Sequence, residues 1–373
     1  MLFGKKFALK SLTLCILIIC AESHADNVAF EDSLLLRHAH AALSDSTNLF
    51  SHENCSSIEY FQVEHENIHS LDGIQCMQDL RFLKIGHNDI VYAEPLTKLN
   101  SLKVLDISHN PLKSIDPISK LTQIEWVKIN GTGIEDPSPM SKLSNLTYLS
   151  ISHNNISNLQ ALSELVKLQE LDLSRNQLLS LDHLQGLSSL RVLKFNRNKL
   201  QSMWGIGQLN ALEKIEARNN FIANIEHLQN LNNLKHLELS NNKVSNIKSL
   251  KNLRKLEILR LANNEISDLT PLKFLTSLKE LRLDANKIEN LSPLKNLQNL
   301  KVLDLGNNRI RDLSPLAGLN KLEVLRLSEN RISEIAPILD LPNLIVIEIW
   351  GNELPPNATK SIQQLKERQT HVD

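Results

Sequence analysis

Leucine, isoleucine and valine recur along this chain with a period that neither an isolated helix nor a lone strand would produce. From Leu256, in LEILRLANNEI, apolar residues follow at +3 (Leu259), +5 (Leu261) and +10 (Ile266), and Asn264 stands at +8. The offsets repeat every 22 residues from Ile58 to Leu344, giving fourteen rungs without an insertion. Around +3 and +5 the pattern alternates, which predicts a short strand with +3 and +5 inward and +2 and +4 outward. Leu or Ile at 0, +3, +5, +10, +13, +16 and +19 fills the interior of each coil. No rung buries that face alone, so the stack is the folding unit.

The +8 column reads Asn88, Asn110, Asn154, Asn176, Asn198, Asn220, Asn242, Asn264, Asn286, Asn308, Asn330 and Asn352, broken only by Glu66 and Thr132. A coil turning out of a strand leaves backbone N–H and C=O groups facing inward, and these need partners. Asn offers a donor and an acceptor on a short arm, so the column predicts a ladder between coils.

The stretch ISDLTPLKFLTSLKELRLDANKIENLSPLKNL, with Pro271, Pro293, Pro315 and Pro337 at +15, resembles the leucine-rich repeat in its 22-residue form, as in bacterial internalins. Cytosolic phosphatase-regulating repeat proteins share this period. The resemblance spans residues 58–354. It implies an α/β solenoid: a right-handed superhelix with a concave parallel sheet of about fourteen strands, 3₁₀ segments on the convex side, and a protein partner on the concave face. No cell-wall sorting motif or Ig-like domain follows the repeats, so surface anchoring and host-cell invasion are not implied.

The ends differ from the repeats. Residues 1–25 read as a secretory signal, with a lysine-bearing start, an apolar run and cleavage after Ala25. The run from Leu12 to Ala21 is about half a membrane span, and Ile19 before Cys20 argues against lipidation. The mature chain is therefore expected to be secreted or periplasmic, without a transmembrane segment. Residues 26–57 contain FEDSLLLRHAHAAL and residues 355–373 contain ATKSIQQLKERQ, each read as a helix within an end cap. With Cys15 and Cys20 removed, Cys55 and Cys76 remain. Cys55 falls one position from the residue stacked over Cys76, so a disulfide is expected, against two buried thiols as the alternative.

The formal charge of −1 becomes about −3 on removal of the signal, and no nucleic-acid footprint is visible. One motif points elsewhere: His65-Glu66-Asn67-Ile68-His69 matches the zinc-protease pattern His-Glu-x-x-His. That chemistry needs a helix, whereas these residues are positions +7 to +11 of the first rung. The histidines are expected to diverge, and the chain is not read as an enzyme. Position +7 also holds His65, His87, His109 and His153, a column read as a metal site, a pH switch or merely a polar strand ending. The last reading is preferred, and no metal or cofactor is assigned.

The outward +2 column begins Tyr60, Phe82, Val104, Trp126, Tyr148, although aromatics make up only 4% of the chain. A concentrated stripe of this kind marks an interface centre. The +4 column places Lys84, Asp106 and Lys128 beside it. Further along, Asp304 is expected between Arg282 and Arg326. Mixed signs argue against a polyanionic ligand. The sequence thus predicts a monomeric, exported binding module gripping a protein or peptide through Tyr60, Phe82, Lys84, Val104, Asp106, Trp126, Lys128 and Tyr148. The alternative is a carbohydrate or envelope-polymer binder.

Overall fold

The computed structural model describes residues 28–43, 52–368 and 370–372; the signal segment and its cleavage after Ala25 lie outside these. The chain divides into two compact units, Met1–Ile124 and Glu125–Asp373.

In the first unit, helix α1 (Ser33–Ala42) begins at Asp32, whose side chain accepts the Leu34 and Leu35 N–H groups at 2.9 and 3.1 Å. This is an N-cap in which a short acceptor satisfies donors that have no helical partner. The helix buries Leu35 and Ala39. After α2 (His52–Ser56) come three parallel strands in chain order, β1 (Tyr60–Gln62), β2 (Phe82–Lys84) and β3 (Val104–Asp106). Cys55 on α2 is bonded to Cys76 in the first 3₁₀ segment, with Cα atoms 5.7 Å apart.

The second unit continues the pattern from β4 (Trp126–Lys128) and β5 (Tyr148–Ser150) to β14 (Val346–Glu348), each strand parallel to the next and offset by 22 residues. The sequence predicts a helix beyond the last rung, and α3 (Thr359–Glu367) is there. A short strand that the sequence reading lacks follows it. β15 (His371–Val372) pairs parallel to β14, with the His371 N–H bonded to the Ile345 carbonyl at 2.7 Å. It satisfies backbone groups that β14 would otherwise present as an open edge.

Within each coil the predicted columns are interior: Leu256, Leu259, Leu261, Ile266, Leu272 and Leu275 are all fully buried. The convex side is built mainly of 3₁₀ turns, and Pro271, Pro293, Pro315 and Pro337 are the second residues of their segments, within the first turn, where a missing N–H costs nothing. Pro95, Pro117 and Pro139 do the same. The rungs from Leu168 and Leu190 carry no such proline and close with simple turns. In the second of them Gly205 has φ +98°, and a Cβ there would overlap the Leu181 carbonyl.

The asparagine column forms the expected ladder. Asn264 Oδ1 accepts the Val244 N–H at 2.9 Å, and its Nδ2 donates to the Leu239 and Leu261 carbonyls at 3.0 and 3.1 Å. Asn110 repeats this with Ile90, Ile85 and Ile107. Each amide therefore ties the strand end of one coil to that of the coil before it.

Candidate functional site

The strands present +2 and +4 to solvent, so the exposed sheet face is written by two columns. In the first unit Tyr60 is 53% and Phe82 41% exposed, with ring centroids 6.3 Å apart and planes tilted by 39°. Val104 and Lys84 are half-buried. The Tyr60 hydroxyl donates to Gln62 Oε1, and Gln62 Nε2 to Glu64 Oε2 at 2.7 Å. Asp106 departs from its expected place as an open charge. It is 6% exposed, and its Oδ1 accepts the Ser108 N–H at 3.0 Å.

In the second unit Trp126 and Tyr148 stack face to face, with centroids 4.5 Å apart and planes within 10°. Both are half-buried, as is Lys128. Beside them Asn130 Oδ1 accepts the Ser150 hydroxyl at 2.8 Å and the Ser152 N–H at 2.9 Å, fixing the floor next to the stack.

The His-Glu-x-x-His match dissolves in the structure. His65 has φ +61° and stacks on His87, with centroids 4.3 Å apart. His69 turns instead to Asp32, placing Nδ1 2.7 Å from its Oδ2 and donating its own N–H there at 2.9 Å. Burial would raise the Asp32 pKa, but the His69, Leu35 and Leu34 N–H groups and the nearby imidazole carry it below the ordinary value. Glu66 lies 3.7 Å from Arg37 and 3.6 Å from His38 of α1.

His87 also stacks on His109, at 4.2 Å. Rings stacked face to face hold their nitrogen lone pairs side by side in parallel planes, so adjacent members do not converge on a shared ion. Among the described residues, no group of three or more His, Cys, Asp or Glu is placed to hold a metal.

The structure adds a property of the +7 column that the sequence reading lacks. Every +7 residue, from His65 to Gly351, has positive φ, including Arg175, Arg197, Ala285 and Glu329. The strand leaves the sheet through a left-handed residue so that the following Asn can point inward. Gly, Asn and His tolerate that region best, and their prevalence in the column was the available signal.

On the later rungs the face is a chain of ion pairs. Glu280 meets Arg260 Nε at 2.8 Å and Arg282 Nε at 2.6 Å, and Arg326 Nε meets Glu348 at 2.6 Å. Burial would raise Glu280, but its two guanidinium bonds hold it below the usual carboxylate value. The expected bridge by Asp304 is one-sided, since Arg326 approaches it at 3.9 Å while Arg282 is drawn to Glu280. Burial first, and then the neighbouring Asp284, push Asp304 up to about 6.

Comparison with known proteins matches three family models. Leucine-rich repeats in two copies cover residues 232–328 in overlapping segments, a leucine-rich repeat model covers 135–178, and another covers 101–121. No curated protein sequence matches significantly. Among solved structures, an internalin of Listeria monocytogenes is 27% identical with a TM-score of 0.71, over 80% of this chain and 97% of that one. A leucine-rich repeat protein of Leptospira interrogans is 27% identical with a TM-score of 0.79, over 84% and 83%. A plant peptide hormone receptor, solved in complex with its peptide, is 23% identical with a TM-score of 0.67, over 81% and 52%, a likeness of fold.

Proposed function

Because this chain is a leucine-rich repeat protein of the internalin-like type, we propose that its concave face binds a protein or peptide partner. In the second unit the Trp126–Tyr148 pair is the anchor, with Lys128 in the neighbouring outward column; in the first unit the Tyr60–Phe82 pair takes that role, with Lys84 and Val104. The observation that carries this reading is the Trp126–Tyr148 stack. Two large rings remain partly open to water on a strand surface, although the hydrophobic core of every rung is already complete. Rigid aromatic area of this kind loses little side-chain entropy on binding, which is why Trp and Tyr dominate interface hot spots. Asp106, being buried, contributes to the floor of the face and takes no part in contact.

The protein is exported in this reading. The Cys55–Cys76 disulfide supports it, because such bonds persist in oxidising compartments. Among the described residues no helix is long and apolar enough to cross a membrane.

The test is affinity capture from envelope extract with the mature chain, followed by binding of the captured partner to Trp126→Ala and Tyr148→Ala. Each truncation should weaken binding by about thirtyfold or more, the range of a hot-spot residue. Unchanged binding in both variants removes the anchor assignment. Retention on purified glycans, lost in the same variants and with no protein captured, would replace it with the carbohydrate reading.

A further inference from the structure

Three arginines of the second unit lie on neighbouring rungs of its sheet without an ion pair among the described residues. Arg175 and Arg197 are successive +7 residues, and Arg218 is the +6 residue of the next rung. Backbone bonds put them in adjacent coils: the Arg175 N–H donates to Asn196 O at 2.7 Å and the Arg197 N–H to Arg218 O at 2.8 Å. Coils in such a sheet lie about 4.8 Å apart, so three guanidinium groups rise from neighbouring rungs along one edge. All three are exposed. Among the described residues none has a carboxylate within ion-pair distance, whereas neighbouring Arg191, Lys214 and Lys235 are paired at 2.6–2.8 Å.

The backbone makes this placement less expected still. Arg175 and Arg197 have φ +56° and +55°, a region that disfavours a residue bearing a Cβ and that neighbouring rungs fill with Asn219, Asn241 and Asn263. Those asparagines gain bonds in return, Asn241 donating to Asn219 and Asn263 to Asn241, each at 2.9 Å. The arginines gain none. Like charges on neighbouring coils repel, and no bond made by these side chains offsets that repulsion, so a partner's carboxylates would supply the missing counter-charge. His153, one rung earlier in the same column, feels the row: burial lowers its pKa, and Arg175 and Arg197 lower it further.

We propose that Arg175, Arg197 and Arg218 are the docking row for an acidic segment, bearing Asp or Glu side chains, of the protein partner. This rests on the concave-face reading above and names the chemistry of what binds there. Guanidinium forks match carboxylates in a planar, bidentate geometry. One observation favours a polypeptide over a uniform polyanion: Phe221, 49% exposed, lies three residues beyond Arg218 and offers apolar area that only a segment of mixed side chains would use.

The probe is a fluorescein-labelled peptide of Glu, Asp and Leu, without aromatic residues, titrated into the full mature chain. Its affinity should fall at least tenfold in Arg175→Asn/Arg197→Asn/Arg218→Gln. A charge-matched control, Lys295→Gln/Arg309→Gln/Arg331→Gln, should change it less than twofold. Binding by the wild type should weaken as NaCl rises from 50 to 200 mM, as for exposed charge pairs. Asn is at home in the left-handed region, so the first variant should melt no lower than wild type, which separates loss of binding from loss of fold. Equal losses in both triple variants, or retained affinity in the first, would overturn the proposal. So would heparin or inorganic polyphosphate binding more tightly than the peptide through the same arginines. Trp126→Ala should leave the peptide's affinity unchanged while weakening the captured partner, so failure of the aromatic anchors is distinguishable from failure of the arginine row.

Discussion

The rungs from Leu146 to Leu212 and those from Leu256 to Leu344 share one backbone plan, and Lys214 pairs with Glu216 in the first group as arginines do in the second, yet the two groups differ in which arginines they leave unpaired. In the later group each guanidinium on the strand face is neutralised from within: Arg260 and Arg282 share Glu280, and Arg326 takes Glu348 and approaches Asp304. In the earlier group Arg175, Arg197 and Arg218 are left to solvent, one rung beyond the Trp126–Tyr148 stack. A face that satisfies its own charges gains rigidity and has little left to offer a partner. One that leaves cations unpaired and rings half-open holds interaction energy in reserve for binding. The fold alone does not distinguish the two groups, because the difference lies wholly in the outward columns.

The contrast is broken most directly at Glu280. Glu280→Ala leaves Arg282 without its partner and Arg260 with only Glu238, at 3.9 Å. Its side chain is 17% exposed, so the pair lies between a surface bridge and a buried one, and the expected destabilisation is about 1–3 kcal/mol. Denaturant titration checks the value. Partner binding should be unaffected, since the proposed anchors lie on other rungs. A variant that loses partner affinity while keeping its stability would show that the later rungs are also a contact surface.

Asp304 sharpens the same contrast through pH. Its carboxyl in the folded chain titrates near 6, against about 3.9 unfolded. The protonated form is therefore favoured by folding. Its contribution to stability is complete below about pH 4 and is lost as pH rises through about 6. At pH 7 the ionised carboxylate opposes the fold by about 1–3 kcal/mol, and Asp304→Asn should recover about that amount. Melting temperatures at pH 4.5 and 7.5 decide it: wild type should lose more stability than the variant on going to the higher pH. Parallel curves would mean that Asp304 is ionised freely in the fold.

Much of this was legible in the sequence, for a reason the columns make plain. Inward positions have one job at every rung, so Leu259, Leu261 and Asn264 announce themselves by repetition, and the coil period carries Cys55 to within reach of Cys76. Outward positions have no common job, and their roles depend on neighbours in adjacent coils. Asp106 reads as an open charge in its column, but its carboxylate folds down to accept the Ser108 N–H two residues on. Asp304 reads as shared between two arginines, but Glu280 competes for one of them. The short strand His371–Val372 has no repeat to belong to and is set by the open edge it covers.

The left-handed +7 column gives the smallest and cleanest test, because it concerns backbone alone. In the later rungs Asn241 and Asn263 donate to the amide before them, but the column is interrupted at Ala285, where φ is +54° and the side chain makes no hydrogen bond. Asparagine tolerates this region better than alanine does, since its short amide compensates locally for the Cβ crowding. Ala285→Asn should therefore relieve strain and let the new amide reach Asn263. The expected gain is about 0.5–1.5 kcal/mol, combining a relaxed backbone with one solvent-exposed hydrogen bond. Ala285→Gly separates the two contributions: glycine relieves the strain but adds no amide and loosens the unfolded chain. If Ala285→Asn stabilises and Ala285→Gly does not, the gain comes from extending the ladder, and the later rungs are stiffened by side chains pairing with one another even at the edge of the sheet. If both stabilise equally, the left-handed turn alone is responsible. Arg175→Asn and Arg197→Asn should then gain about as much, and that gain measures the strain the earlier rungs retain to keep arginine there.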